Sequence, residues 1–106
     1  MREVIIERVR LDPHRRLRLR PTPSRVSGYE SIYRSASKVR WDDLCGELYV
    51  HDVPEFSTVD EYKQIVAAVA REYGDQLILS PSTAYVDVPS DVITALRERG
   101  PVNSRI

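Results

Sequence analysis

The chain has 106 residues, 42% of them apolar and 30% charged, and its formal net charge is zero. That length suits one buried core and is short for two, and the composition is far from that of disordered chains, so one folded domain over 1–106 is expected. Balanced charge speaks against a dedicated nucleic-acid binder, and the absence of an apolar run of about 18 residues speaks against a membrane span.

In chain order, "EVIIERVRL" (3–11) has the β-branched density and partial alternation of a strand. "DPH" (12–14) supplies a turn, and "RRLRLR" then alternates strictly, with Leu17 and Leu19 on one face and Arg16, Arg18 and Arg20 on the other. The first strand contains a conflict: the face bearing Ile5, Val9 and Leu11 also carries Glu7. Either Glu7 is a buried acid paired with an arginine, or a bulge after Ile6 resets the alternation and keeps it wet. "PTPSRVSG" (21–28) reads as a loop because its prolines cannot sit in a ladder, "YESIYRS" (29–35) as a third strand, and "LCGELYVHDV" (44–53) as a fourth.

"STVDEYKQIVAAVAREYG" is the clearest helix: Ser57 or Thr58 caps it, acids occupy its first turn, and Gly74 closes it. Its apolar stripe runs through Val59, Tyr62, Val66, Val69 and Tyr73. "QLILS" (76–80) and "AYVDV" (84–88) read as a hairpin across "PST", with Tyr85 and Asp87 opposite Ala84, Val86 and Val88. A short helix follows Ser90, and residues 101–106 read as a frayed tail. The element order ββββ-α-ββ-α predicts an α+β fold: a single, largely antiparallel sheet of five to six strands with two helices on one face.

Neutrality conceals an asymmetry. Residues 1–40 hold eleven basic against four acidic residues, a charge of +7, and the remaining 66 hold five against twelve, a charge of −7. The balance favours pairing between the two halves, within one fold or between copies, over a nucleic-acid-binding half. Arginine outnumbers lysine fourteen to two, read as the mark of a GC-rich bacterial genome and of a reading frame of the kind carried on mobile gene cassettes. The alternation within "MREVIIERVR" lacks a signal-peptide core, so a cytoplasmic location is expected.

Catalytic, metal and cofactor motifs are lacking. Cys45 is the single cysteine and cannot build a disulfide or a thiolate metal site. On one strand Cys45 and His51 would stand about 20 Å apart, at roughly 3.3 Å per residue, out of proton-transfer reach. Glycines 28, 46, 74 and 100 are never clustered, which excludes a phosphate loop. No catalytic residue, metal or cofactor is therefore expected.

The candidate site is the helix-free sheet face, where Arg16, Arg18, Arg20, Tyr49, His51 and Tyr85 would bind a partner or ligand. The reading that follows is a small non-enzymatic interaction module that self-associates, as a dimer, with no membrane role. The alternative is a nucleic-acid or anion binder using Arg15, Arg16, Arg18, Arg20 and Arg25, and an enzyme of unspecified class is a distant third.

Overall fold

The computed structural model describes residues 2–22, 28–35, 38–51 and 57–99. The first strand, β1 (Arg2–Leu11), is the longest, and its register against β2 (Leu17–Pro21) slips between Ile6 and Arg8. Val4 and Ile6 point into the core before that bulge, Val9 after it, and Glu7 is left in solvent. The reading of Glu7 as a buried acid is thus corrected: one inserted residue turns it outward, where its side chain keeps 49% of its exposure. In β2, Leu17, Leu19 and Pro21 are buried and alternate with Arg18 and Arg20, while Arg16 lies just before the strand.

Within residues 29–35, where a strand was expected, Glu30–Ser35 is a 3₁₀ helix. Tyr29 and Ile32, three residues apart and both buried, fit a repeat of three rather than two. The Ser31 N–H donates to the Tyr73 hydroxyl at 3.0 Å and ties this turn to the long helix. The third strand is instead β3 (Val39–Asp42), joined to β4 (Glu47–Val50) by a tight turn. Asp42 builds that turn: Oδ1 accepts from the N–H groups of Leu44 (3.0 Å) and Cys45 (3.3 Å), and its carbonyl accepts from Gly46 (2.8 Å). Gly46 takes a φ of 66°, which glycine adopts at little cost. The strand expected over 44–53 is therefore shorter, with Cys45 in the turn and Leu44, expected on the core face, 98% exposed.

The long helix α1 (Thr58–Tyr73) has Ser57 as its N-cap, accepting from the Asp60 N–H at 3.1 Å and donating to the Asp60 carboxylate at 2.9 Å. Gly74 ends it at φ 69°. Its buried face holds Tyr62, Ile65, Val66, Ala68 and Val69, and also Glu61.

After α1, β5 (Asp75–Ile78) pairs parallel with residues 2–5 of β1, and β6 (Ala84–Val86) pairs parallel with residues 8–10 of the same strand. They do not form the expected hairpin. Both run along one edge of β1, interrupted by a turn in which Thr83 Oγ1 accepts from the Ser80 N–H (2.9 Å) and donates to the Ile6 carbonyl (2.7 Å). This arrangement reverses the faces assigned to β6. Tyr85 stands level with buried Val9, and its ring packs against the core, away from the arginine face.

The sheet has the order β3-β4-β2-β1-β5, with β6 also on β1: a six-stranded mixed sheet, antiparallel along β3-β4-β2-β1, in an α+β fold. Leu96 of α2 (Ser90–Arg99) joins the α1 face of the sheet in one buried cluster. No helix among the described residues is long and apolar enough to cross a membrane. The expected tail, 101–106, lies outside the described residues.

Candidate functional site

Register determines what the sheet face away from α1 presents. Arg10 lies opposite Arg18, Arg18 opposite Tyr49, and Tyr49 opposite Arg40, forming one row across four strands. The next row begins with Arg8 opposite Arg20 and ends with Glu47 opposite Asp42. Two rows of guanidinium groups on β1 and β2 therefore adjoin carboxylates supplied by β4 and β3.

Glu47 lies at the centre with a side chain 0% exposed. Arg10 grips it with two donors, Nη2 to Oε1 at 2.7 Å and Nε to Oε2 at 3.0 Å, the bidentate geometry that makes arginine–carboxylate pairs strong. Arg8 Nη2 adds a bond to Oε2 at 3.1 Å, and Arg18 Nη1 stands 3.5 Å from Oε1. Arg18 also reaches Asp12 Oδ2 (3.1 Å) and Asp42 Oδ2 (2.9 Å), and its guanidinium lies 4.7 Å from the centre of the Tyr49 ring. Three arginines and three acids thus form one neutral network.

The titration of its members follows from that geometry. Burial opposes the charge on Glu47, but hydrogen bonds and charges from Arg10 and Arg8 outweigh it and hold the carboxyl below its ordinary range. Asp12 and Asp42 are lowered too: partial desolvation is overcome at Asp12 by the Arg16 N–H and the Arg18 side chain, and at Asp42 by Arg18 and its turn amides. Arg10 is raised, chiefly by its hydrogen bonds to Glu47. Arg18 is raised although burial opposes it, because Asp12 and Asp42 stabilise its charge.

The sequence-expected residues divide accordingly. Arg18 is the hub and Tyr49 its ring partner. Arg16 lies just before β2, outside the network; it gives Nη1 to the Val50 carbonyl at 2.9 Å, and its charge acts on Glu61 on the helix side. Arg20 stands 3.9 Å from Glu7 in a largely solvated pair. His51 is exposed beyond the end of β4, and Tyr85 is on the other face, its hydroxyl buried without a hydrogen-bond partner among the described residues. Arg25 lies outside the described residues. Sequence reasoning missed Arg8, Arg10, Asp12 and Asp42 as members of this face. The available signal was that beyond the bulge Arg8 and Arg10 alternate with Val9 and Leu11 as the β2 arginines alternate with leucines.

On the helix side, Glu61 is 5% exposed, and among the described residues its carboxylate accepts only a long bond from the Leu17 N–H, 3.4 Å. Burial pushes it up to about 7, against the weaker pull of that amide and of Arg16. A third buried acid, Asp75, is held by Arg2 Nη2 and the Tyr29 hydroxyl, both at 3.0 Å. Among the described residues no three His, Cys, Asp or Glu side chains converge as a metal site would require.

The charge-paired face of the six-stranded α+β sheet, which no helix covers among the described residues, is thus an organised surface. Residues 5–83 match the family described as Integron Cassette Protein Hfx_Cass5, and the chain belongs to that family. It is similar at 29% identity to a solved chain titled "Structure from the mobile metagenome of North West Arm Sewage Outfall: Integron Cassette Protein Hfx_Cass5", over 93% of this chain and 96% of that one, with a TM-score of 0.46. Comparison with curated proteins finds no match. The mobile-cassette provenance read from the arginine bias agrees with the family.

Proposed function

We propose that this protein is a small, non-enzymatic interaction module that self-associates as a dimer through the helix-free face of its sheet. One observation carries the reading: Glu47 is wholly withdrawn from water beneath three guanidinium groups on a face that is otherwise a broad plate. Such a plate is rigid and electrically balanced, so a second copy can cover it without stranding a charge. Arginine and tyrosine, the residues it displays, are those enriched at protein interfaces. A two-fold axis parallel to the strands would lay the arginine-bearing strands of one copy over the acid-bearing strands of the other. The same pairing weakens the polyanion-binding alternative, because Arg18 is already committed to carboxylates.

Light scattering across a concentration series tests the proposal. A mass twice that of the 12.2 kDa chain is expected, falling toward one chain in the Arg16→Ser/Arg18→Ser/Arg20→Ser variant, with circular dichroism to confirm that the variant is folded. A monomer at every concentration contradicts the reading. Retention on heparin that weakens steeply with salt and vanishes in the same variant would replace it with the polyanion-binding one.

A further inference from the structure

Two loops leave the carboxyl ends of neighbouring parallel strands and meet: residues 12–16 after β1 and residues 87–89 after β6. Between them is a groove of about 420 Å³ walled by Leu11, Pro13 and Pro89 and bordered by Arg10, Asp12, Arg15 and Asp87. Small-molecule clefts run from roughly 300 to 1,000 Å³, and in α/β sheets they open at the carboxyl ends of parallel strands.

The β1–β2 turn fixes Arg15 firmly. Its N–H donates to the Asp12 carbonyl at 2.8 Å, the Asp12 N–H donates to the Arg16 carbonyl at 3.0 Å, and Asp12 Oδ1 accepts from the His14 and Arg16 N–H groups, both at 2.9 Å. This closure holds Arg15 at φ 62°, a left-handed position that glycine fills with least strain. Asp87, across the groove, has φ 56°. The two are the only non-glycine residues at positive φ among the described residues, and both border this groove.

Their side chains make no hydrogen bond or ion pair among the described residues. Their neighbours differ: Asp12 is spent on the turn and on Arg18, and Arg10 gives Nε and Nη2 to Glu47. The groove thus offers one uncommitted cation, one uncommitted anion and apolar walls.

We propose that this groove binds a small zwitterion of the α-amino-acid type. Its carboxylate is taken by Arg15, its ammonium by Asp87, and its aliphatic part lies against Leu11, Pro13 and Pro89. A simple anion is repelled by Asp87 and a simple amine by Arg15, so the ligand needs both charges. The site stands independently of self-association.

Amide NMR titration with the free amino acids tests it, using acetate and methylammonium as half-ligand probes. At least one amino acid should give saturable shifts confined to residues 10–16 and 86–90, with a Kd of about 1 mM or tighter, and each half-ligand should bind at least about tenfold more weakly. Arg15→Gly, which relieves the turn, and Asp87→Asn, which suits the left-handed position, should each weaken binding at least about tenfold while the remaining amide spectrum is unchanged. The proposal is overturned if no amino acid saturates, if acetate binds as tightly as the best amino acid, or if Asp87→Asn leaves the affinity unchanged.

Discussion

Glu47 and Glu61 are both withdrawn from water, the first on the arginine-bearing face of the sheet and the second on the helix that covers the opposite face. Glu47 meets two donors from Arg10 and one from Arg8, and its charge is retained below the ordinary carboxylate range. Glu61 meets one long amide bond and a more distant Arg16, and burial raises it to about 7. Removing a carboxylate from water thus does not decide its charge; the number and geometry of donors waiting for it do. Glu47 is an anion that organises a surface, and Glu61 is an acid whose charge burial disfavours, at the seam between α1 and β2.

Replacing each glutamate should separate the two environments most strongly. Glu47→Ala leaves the guanidiniums of Arg8, Arg10 and Arg18 without their central anion. Removing one partner of a buried pair costs about 3–5 kcal/mol, and because these arginines are partly solvated a loss near 3 kcal/mol is expected in urea unfolding at pH 7. A loss below about 1 kcal/mol would mean that solvent already screens the network.

Glu61→Gln should act with the opposite sign. The folded Glu61 value, about 7, lies above its unfolded one, so between about pH 4.5 and 7 the native state holds a proton that the unfolded chain has lost. Stability from this group therefore falls as pH rises through that window and is flat above it. The glutamine variant should be more stable than the parent at pH 8, by on the order of 2 kcal/mol, with the gap closing below about pH 4.5. The depressed acids Glu47, Asp12 and Asp42 tilt the profile the other way: their contribution is present above about pH 4 and is lost as pH falls through their folded values.

Smaller effects refine the contrast. Arg18→Ser removes contacts to Asp12, Asp42 and Glu47 and should cost about 1–2 kcal/mol, with acid unfolding moved to higher pH. Arg20→Ser breaks only a 3.9 Å pair between solvated side chains and should change stability by less than about 0.5 kcal/mol in the same assay.

Particular elements account for what was legible in the sequence. "RRLRLR" could be read because a two-residue repeat assigns every side chain to a face whichever strand pairs with it, and α1 carried its own cap, stripe and C-terminal glycine. Tyr85 could not be placed that way. Its face depends on β6 continuing the β5 edge of β1, a fact about pairing to residues more than 70 positions away. The burial of Glu47 has the same origin, since Arg8 and Arg10 stand 39 and 37 residues from it. Residues 29–35 misled because a run of tyrosine, isoleucine and serine suits a strand, while docking of Tyr29 on Asp75 and of Ser31 on Tyr73 held the segment as a 3₁₀ turn. Glu61 was legible as a first-turn acid, but not as one sealed beneath the start of β2.

A side-chain carboxyl ¹³C NMR titration that follows Glu47 and Glu61 in one sample tests whether Arg8, Arg10 and Arg18 are spent on a buried anion within the molecule. Glu47 is expected to stay ionised below the ordinary glutamate range while Glu61 titrates near 7. A Glu47 that titrates at or above the ordinary glutamate value would contradict it.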